Sequence, residues 1–394
     1  MDLLEFQAKE LLNRFGIATP VGRIAETPHE ASRAANRLSA ERFAIKVQVR
    51  AGERRAAGGI RFAASPAGVA ATCESLLGRN FTTAQTTKTG EFVRWILVEE
   101  AIDSARELYA AIVVNRDLGQ LFLLLSRAGG DGIEQRAKSE TDLIQRIPLL
   151  LEDGTAVGNY ASAVGDLGLP ESAQTAVIET IQKMARLAVE LDALQVEINP
   201  LAIRKDGSTI ALDAKLSLDD NALMRHPALA ALSQAFEAEQ ADPSEQDAED
   251  HRINYVGLDG ETGVIANGAG LALTTLDLIA DGGGKAANFM DIRTTASSLD
   301  IAYGTRLILE NTHARSILVN VHGGGMQRCD TIAEGIAVAM RGASRRLPII
   351  TRLAGNNAVF ARKRLIDAGL DVVFTETMEE AAQKAIAASR ASKR

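Results

Sequence analysis

The most constraining stretch of the sequence runs from Leu194 to Leu218, where two segments with alternating apolar residues flank a Lys-Asp-Gly turn. This pattern predicts a β-hairpin. A two-residue loop would place Ile198 opposite Lys215, whereas a three-residue loop that ends in a left-handed glycine places it opposite Ala214. We predict the three-residue loop, because in that register one face of the hairpin is wholly apolar and can be buried.

The predicted register places polar side chains on the other face of the hairpin. Asn199 lies opposite Asp213, and Glu197 lies two residues along the same face. Directly opposed side chains start ~5 Å apart, so Asn199 and Asp213 could share one hard cation. Mg²⁺ takes few protein oxygens and lets the phosphates of a nucleotide complete its coordination shell. A solvated polar face on an ordinary hairpin would show the same alternation, and the hairpin alone favours that interpretation.

Length and composition limit what the rest of the chain can be. With 394 residues, 46% of them hydrophobic, the chain can form two or three domains with sizeable cores. A net charge of −8 disfavours a general nucleic-acid binder, and Cys73 and Cys329 provide neither a disulfide framework nor a metal-binding spacing. No apolar run approaches a membrane span, and the first residues read as an acidic amphipathic helix rather than a targeting peptide. We expect a soluble cytoplasmic protein with no nucleic-acid or membrane partner.

Three features of the N-terminal half suit phosphate or nucleotide contacts. Lys46 is predicted in the middle of a strand, where a phosphate-binding lysine and an ordinary surface lysine fit equally well. The glycine- and arginine-rich loop at 50–59 could cover phosphates with N–H groups and guanidinium groups, although it matches no standard nucleotide-binding pattern. Glu99 ends a predicted strand and could accept hydrogen bonds from an adenine or a ribose, although such residues are more often simply solvated.

The C-terminal half repeats a pattern of strand, glycine-rich turn and helix from Asn254 onward, after a polar and acidic segment. The pattern predicts a doubly wound parallel sheet. Such sheets bind ligands beyond the carboxyl ends of their strands, where helix N-termini present free N–H groups to anions. The turns at 267–270 and 323–325 have this position, and together they suggest an anionic ligand.

Many ordered sequence blocks, spread over nearly the whole chain, carry a family resemblance. They include Gln7-Ala8-Lys9-Glu10-Leu11, Glu107-Leu108-Tyr109, Glu197-Ile198-Asn199-Pro200-Leu201, Leu212-Asp213-Ala214-Lys215, Asn267-Gly268-Ala269-Gly270 and Leu353-Ala354-Gly355-Asn356-Asn357. In these blocks the chain resembles the β subunits of the ADP-forming succinyl-CoA synthetases and the related malate–CoA ligases. The resemblance implies an α/β protein with an α+β part: an ATP-grasp domain over residues 1–236, an acidic linker over 237–253, and a flavodoxin-like, doubly wound CoA-ligase domain over 254–394.

The resemblance also implies an activity that is shared between two subunits. The chain would be the β subunit of an acid–thiol ligase that binds Mg²⁺, ATP or GTP, and an organic acid, and forms ADP or GDP. A separate α subunit would carry the phosphorylated histidine and most of the CoA site in an α/β hetero-oligomer. The acid would be succinate or another di- or tricarboxylate such as malate. A non-catalytic paralogue that still pairs with an α subunit, and a ligase that needs no partner, are the alternatives.

The resemblance assigns roles to individual residues. Glu197 would orient the phosphohistidine, and Asn199 and Asp213 would bind Mg²⁺, in agreement with the hairpin register. The nucleotide contacts would be Lys46, Arg54, Glu99, Ile102 and Glu107. The organic acid and the phosphoryl group would lie near Asn267, Gly324, Gly325, Met326 and Gln327.

Three segments depart from the family pattern. The phosphate loop at 52–59 contains Glu53, and a carboxylate at ~4 Å from a phosphate oxygen would cost about 4 kcal/mol at an effective dielectric constant of roughly 20. We therefore expect Glu53 to point away from the phosphates. The segments at 291–296 and 320–326 also differ, and there Arg293, Thr294 and His322 add polar groups beside the predicted acid site. We hypothesise an acid other than succinate, although His322 could equally be hydrogen-bonded within its own loop.

Overall fold

Two units make up the chain in the computed structural model, Met1–Phe236 and Glu237–Arg394. The structure describes residues 1–86, 90–130, 132–140, 142–152, 155–231, 247–248, 250–324 and 326–392. Gly325 and most of the predicted acidic linker lie outside these ranges. None of the helices within them combines the length and the apolar character that a membrane-spanning segment needs.

The N-terminal unit contains two main β-sheets and a short two-stranded ribbon. Its helices are α1 (Glu5–Arg14), α2 (Pro28–Arg37), α3 (Pro66–Leu76), α4 (Ile133–Ser139), α5 (Tyr160–Gly165) and α6 (Glu171–Glu190), followed by a 3₁₀ helix at Asp220–Arg225. Its strands are β1 (Gly22–Ala25), β2 (Phe43–Val47), β3 (Ile60–Ala63), β4 (Asn80–Phe81), β5 (Glu91–Phe92), β6 (Ile96–Glu100), β7 (Arg106–Asn115), β8 (Gln120–Ser126), β9 (Gln145–Glu152), β10 (Thr155–Val157), β11 (Ala193–Ile203), β12 (Thr209–Ala211) and β13 (Ala214–Leu218).

The two main sheets of this unit are antiparallel. The smaller has the order β1-β6-β2-β3, and the larger has the order β10-β9-β8-β7-β11-β12, with β13 also paired to β11. Helices α2 and α3 cover the smaller sheet, and α1, α5 and α6 pack on the larger one. Each sheet therefore has its own apolar core, and strand β2 and the hairpin of β11 and β13 belong to different sheets.

Local sequence explains where α2 and α3 begin. Thr27 and Ser65 are their N-caps, and each side-chain hydroxyl accepts a hydrogen bond from the backbone N–H three residues later, at 3.2 and 3.1 Å. A proline follows each cap at the first helical position, where its missing N–H would have no intrahelical partner. These caps fix the helices that hold the smaller sheet.

The pairing of β11 with β12 and β13 confirms the hairpin register predicted from the sequence. Ile198 faces Ala214, and Ala202 faces Ile210. Gly207 closes the turn with a φ angle of 83°, in the left-handed region that glycine adopts readily. Ile198 and Ala202 are completely buried. The apolar face of the hairpin therefore lies in the core, and its polar face remains for a site.

The described residues of the C-terminal unit form a six-stranded sheet with helices on both faces. Its strands are β14 (Ile253–Gly257), β15 (Thr262–Ala266), β16 (Asn288–Ile292), β17 (Ser316–Gly323), β18 (Ile349–Gly355) and β19 (Val372–Thr375), and its helices are α7 (Ala269–Asp281), α8 (Ser298–Glu310), α9 (Cys329–Arg341), α10 (Ala358–Asp367) and α11 (Met378–Ala391). The strand order is β14-β16-β15-β17-β18-β19, and all neighbours are parallel except β14 and β16.

This sheet confirms the doubly wound fold predicted from the repeated strand–helix pattern. Helices α8, α9 and α10 pack on one face, and α7 and α11 pack on the other. The antiparallel edge strand β14 and the strand β16 were not predicted. The carboxyl ends of β15, β16, β17 and β18 meet at one edge of the sheet, as the parallel arrangement requires.

Candidate functional site

The polar face of the hairpin borders a cavity of about 290 Å³ in the N-terminal unit. Glu197, Asn199 and Asp213 line it from the hairpin, and Arg54 lines it from the loop that follows β2. Gly130, from the loop before α4, lines it as well. The structure therefore brings the three hairpin residues and one of the predicted nucleotide contacts to a single space.

Asn199, in β11, lies opposite Asp213, which lies between β12 and β13. The Oδ1 atom of Asn199 accepts a hydrogen bond from the backbone N–H of Gly130 at 2.6 Å. Both carboxylate oxygens of Asp213 accept from Nη2 of Arg54, at 2.7 and 2.8 Å, and Oδ1 also accepts from the N–H of Ala214 at 2.8 Å. The Asp213 side chain remains 26% exposed, so it is accessible from the cavity.

A network of buried charged side chains surrounds Glu5, the first residue of α1. Oε1 of Glu5 lies 2.8 Å from Nζ of Lys9 and 2.7 Å from Nζ of Lys46, and its Oε2 lies 2.8 Å from Nη1 of Arg54. Glu99 pairs with both lysines, at 2.6 and 3.0 Å. With Asp213, the network comprises three carboxylates and three cations, and its charges are balanced.

Burial and opposite charges act against one another in this network. Burial raises the pKa of Glu5, but the three neighbouring cations hold that pKa well below its ordinary value of 4.5. Burial lowers the pKa of Lys46, but the neighbouring carboxylates raise it above its ordinary value. Burial also lowers the pKa of Arg54, but Asp213 and Glu5 raise it above its ordinary value. Glu5, Lys46 and Arg54 are therefore ionised at neutral pH.

Glu5 and Lys9 were not predicted as members of the site. They were assigned to an amphipathic helix, in which charged residues normally face water, yet they are only 3% and 4% exposed. A signal was present in their i,i+4 spacing, which places opposite charges on one face of a helix. Gln7, between them, is also buried, which shows that the polar side of this helix packs against protein.

Two predicted nucleotide contacts, Ile102 and Glu107, are not among the described residues that line the cavity, and the carboxylate of Glu107 lies beside Gly130, which does line it. Ile102 is half-buried in the segment between β6 and β7. Glu107 accepts a hydrogen bond from the hydroxyl of Ser104 at 2.8 Å. Lys46 and Glu99 are also absent from the described lining, and they lie in the charge network directly behind it.

Glu197 is held in place by its neighbours. Its Oε2 atom accepts a hydrogen bond from Nε2 of Gln195 at 2.8 Å and one from the hydroxyl of Tyr109 at 3.4 Å. Lys215, which faces Glu197 across the hairpin, also lines the cavity. The carboxylate of Glu197 is thus oriented at the cavity without being buried in the charge network.

The predicted acid and phosphate residues lie at the carboxyl edge of the C-terminal sheet. The amide of Asn267 clamps the backbone of His322: its Oδ1 accepts from the N–H at 2.9 Å, and its Nδ2 donates to the carbonyl at 2.8 Å. The N–H of Gly324 donates to the carbonyl of Gln327 at 3.0 Å. Met326 is 74% exposed, whereas Gln327 is buried and its Nε2 has no hydrogen-bond partner among the described residues. Gly325, predicted with them, lies outside the described residues.

Arg293 joins this edge through a chain of hydrogen bonds. Its Nε and Nη2 atoms donate to Oδ1 of Asn254, at 3.0 and 2.8 Å. Asp291 accepts from Nδ2 of Asn254 at 3.2 Å and from the N–H of Gly268, next to Asn267, at 2.6 Å. The exposed guanidinium of Arg293 is therefore fixed at the same sheet edge as Asn267.

The donor set at the hairpin fits magnesium. The described residues contain no group of three or more His, Cys, Asp or Glu side chains that could hold a metal ion. Magnesium bound with a nucleotide does not need such a group, because phosphate oxygens and waters complete its shell. Asn199 and Asp213 line one cavity with hard oxygen atoms and would supply the protein ligands of such a site.

Comparisons with known proteins match both units. Residues 2–203 match the ATP-grasp domain family, and residues 265–386 match the CoA-ligase family. A probable malate–CoA ligase subunit beta from Mesorhizobium japonicum is 39% identical over 100% of this chain and 98% of its own length. The ADP-forming succinate–CoA ligase subunit beta from Acidiphilium cryptum is 39% identical over 98% of this chain and 99% of its own length.

A solved structure is similar in fold over nearly the full length of this chain. ATP citrate lyase from Methanothrix soehngenii, in complex with citrate and coenzyme A, has a TM-score of 0.69 and covers 98% of this chain and 99% of its own. Its sequence identity is 17%, so this likeness concerns the fold alone.

Proposed function

Since this chain belongs to the family of β subunits of ADP-forming succinate–CoA ligases and malate–CoA ligases, we propose that it is the β subunit of a nucleotide-dependent acid–CoA ligase. It binds the magnesium nucleotide and the organic acid. An α subunit supplies the phosphorylated histidine and most of the CoA site, and the two form a hetero-oligomer. The single observation that carries the proposal is the shared cavity of Arg54, Glu197, Asn199 and Asp213.

The chemistry explains why these residue types are needed. A carboxylate is a poor acyl donor, so it is activated as an acyl phosphate before the thiol of CoA attacks. Phosphoryl transfer depends on positioning and on neutralisation of the phosphate charge more than on covalent help from the protein. Lys46 and Arg54 supply positive charge beside the cavity. Asn199 and Asp213 would hold magnesium, which would neutralise further phosphate charge when bound.

Glu197 positions the histidine of the α subunit for the transfer. Its carboxylate accepts a hydrogen bond from one ring N–H, which leaves the other ring nitrogen with a free lone pair. That nitrogen forms a bond to the γ-phosphorus as the bond between phosphorus and the leaving oxygen of the nucleoside diphosphate breaks. Gln195 and Tyr109 keep the carboxylate in this orientation.

The base and ribose of the nucleotide are assigned to Glu99, Ile102 and Glu107. Ile102 and Glu107 lie in the segment after β6 and at the start of β7. The Glu99 carboxylate already pairs with Lys9 and Lys46, so a nucleotide contact from this side chain requires an exchange of partners within the charge network.

The organic acid and the phosphoryl group are assigned to the C-terminal sheet edge, at Asn267, Gly324, Gly325, Met326 and Gln327. The buried Nε2 of Gln327 supports this assignment, because a buried donor without a partner is costly unless a ligand accepts its hydrogen bond. Arg293 adds a guanidinium cation, and His322 adds an imidazole ring, at the same edge of the C-terminal sheet. We therefore assign an acid with an additional polar group, such as a hydroxylated dicarboxylate, rather than succinate.

One observation favours a second candidate, a paralogue that pairs with an α subunit without turning over nucleotide. Glu53 lines the cavity beside Arg54, and a carboxylate there opposes phosphate binding if it faces the ligand. Arg54 and the oxygen pair of Asn199 and Asp213 line the same cavity, which supports the active ligase as the better account.

The test is an assay of the complex purified with its α subunit. CoA-dependent release of phosphate is measured with ATP and with GTP across a panel of succinate, malate and tricarboxylates. The proposal predicts phosphate release that needs both CoA and an acid, with malate or a larger acid preferred. A complex that binds neither nucleotide would support the non-catalytic paralogue, and turnover by this chain alone would refute the need for an α subunit.

A further inference from the structure

The guanidinium of Arg54 is held between two carboxylates that belong to different parts of the N-terminal unit. Its Nη1 atom contacts Oε2 of Glu5 at 2.8 Å and donates to the carbonyl of Val47 at 3.0 Å. Its Nη2 atom lies between the two oxygens of Asp213, at 2.7 and 2.8 Å. The side chain is only 8% exposed, so its guanidinium points at protein.

We propose that Arg54 is the counter-ion of Asp213 in the nucleotide-free protein, and that it makes metal binding at Asp213 depend on the nucleotide. The inference rests on the proposed function, because it concerns the same Asn199–Asp213 pair. It adds a role for Arg54 beyond a phosphate contact: the residue prevents the empty site from taking a divalent cation.

The charges of the network support this role. Glu5, Glu99 and Asp213 balance Lys9, Lys46 and Arg54, so a bare divalent cation meets a neutral cluster with a guanidinium already on the Asp213 carboxylate. Repulsion between a divalent cation and the guanidinium of Arg54 is strong when both contact the same carboxylate, and it is poorly screened in a partly buried site. Metal without nucleotide therefore competes with Arg54 for the same two oxygens.

A nucleotide changes this balance. Its phosphates bring several negative charges, which offer Arg54 a new partner and release the Asp213 carboxylate for the cation. Lys46 does not have this role, since it pairs with Glu5 and Glu99 in the described structure. The result is a site that accepts metal and nucleotide together and rejects the metal alone.

The experiment measures Mn²⁺ binding to the nucleotide-free, full-length protein by the electron paramagnetic resonance signal of the free ion. Arg54→Gln should bind Mn²⁺ at least ten times more tightly than the wild type, because the competing cation is gone. The same variant should bind nucleotide more weakly. A variant that binds Mn²⁺ no more tightly than the wild type would overturn the inference.

Two further variants separate competition at Asp213 from a change in net charge. The double variant Glu5→Gln/Arg54→Gln restores the charge balance of the network, and the gain in Mn²⁺ affinity should persist. Loss of the gain in this variant would show that net charge alone is responsible and would overturn the inference. In Arg54→Gln/Asp213→Asn the gain should disappear, because the carboxylate is missing. A gain that survives there would place the Mn²⁺ site elsewhere and would also overturn the inference.

The outcomes also distinguish this inference from the proposed function. If the wild type binds nucleotide and Arg54→Gln leaves Mn²⁺ affinity unchanged, the counter-ion role fails and the ligase proposal stands. If Arg54→Gln gains Mn²⁺ affinity and no form of the protein binds nucleotide, the counter-ion role stands and the ligase proposal fails. Circular dichroism melting establishes that each variant is folded, and the charge-balanced double variant carries the test if Arg54→Gln is unstable.

Discussion

The backbone N–H of Asn199 donates to the carbonyl oxygen of Asp213 at 3.3 Å, and the side chains of both residues line one cavity. This relationship follows from a three-residue turn, because a two-residue turn would shift the pairing by one residue and move one side chain to the other face. The candidate metal site thus depends on the hairpin register, which the burial of Ile198 and Ala202 fixes.

Replacement of Glu5 by glutamine should destabilise the protein at neutral pH. The change removes one of the three carboxylate charges that balance three buried cations. Breaking a buried ion pair costs about 3 kcal/mol or more. The measurement is the free energy of unfolding in denaturant. Glu10→Gln is the matched control on the same helix: its ion pair with Arg14 is more than half exposed, and its loss should cost less than about 1 kcal/mol.

The stability that Glu5 provides should depend on pH in a defined direction. The pKa of Glu5 is lowered in the folded protein from its ordinary value of 4.5, so its contribution is complete above about pH 4.5 and is lost as the pH falls through the folded-state value. The difference in unfolding free energy between the wild type and Glu5→Gln should therefore shrink below pH 4.5. A difference that stays constant down to pH 3 would contradict this account.

Glu53→Gly should be more stable than Glu53→Ala. Glu53 has a φ angle of 57°, in the left-handed region that costs a residue with a Cβ atom about 1 kcal/mol or more. Both variants remove the carboxylate, and only the glycine relieves the backbone, so thermal or denaturant unfolding should separate them by about 1 kcal/mol. Equal stabilities would mean that the loop relaxes to another conformation at no cost.

Glu197→Gln should slow phosphoryl transfer to the α subunit by about 100-fold and change the nucleotide dissociation constant by less than about twofold. The reason is that Glu197 is proposed to orient the acceptor histidine, whereas the contacts to the nucleotide and its magnesium are assigned to other residues. Gln195→Ala removes the 2.8 Å hydrogen bond to Glu197 and should give a smaller decrease in the same rate. An equal loss of nucleotide affinity in Glu197→Gln would assign the residue to nucleotide binding instead.

Arg293→Gln should raise the KM for the preferred acid by about tenfold or more, since a charge-assisted hydrogen bond contributes about 1.5–3 kcal/mol. The KM for succinate should change less, because succinate lacks the additional polar group. Arg306→Gln is the control, as this arginine is exposed on α8. A wild-type complex that prefers succinate, or an equal effect of Arg293→Gln on every acid, would refute the assignment of Arg293 to acid selection.

The features that the sequence predicts well are those with a local periodic signal. The hairpin from β11 to β13 has alternating side chains and a glycine turn, and burial of one face selects its register. Strands β15 and β17 of the C-terminal sheet are apolar and end in glycine-rich turns, so their parallel arrangement follows from the intervening helices. By contrast, β9 was not predicted, because the run Leu149-Leu150-Leu151 gives its sequence no apolar–polar alternation, although Leu149 is buried and Leu150 and Leu151 are exposed.

The features that the sequence does not reveal depend on distant partners. Arg54 and Asp213 pair across 159 positions of the chain, and Lys46 meets Glu5 across 41. Helix α1 packs its apolar side on the larger sheet, and its Glu5 and Lys9 side chains reach Lys46 and Glu99 of the smaller sheet. Helical periodicity alone assigns Glu5 and Lys9 to solvent. The composition of the site was therefore partly predictable, whereas the connections within its charge network were not.

The most direct test follows the γ-phosphoryl group. The complex with the α subunit is incubated with γ-labelled ATP or GTP and Mg²⁺, and label on the α-subunit histidine is measured for the wild type and for Asp213→Asn. The account predicts rapid labelling with the wild type and its loss in the variant. Labelling that Asp213→Asn leaves unchanged, or a wild-type complex that binds nucleotide and never labels the α subunit, would contradict it.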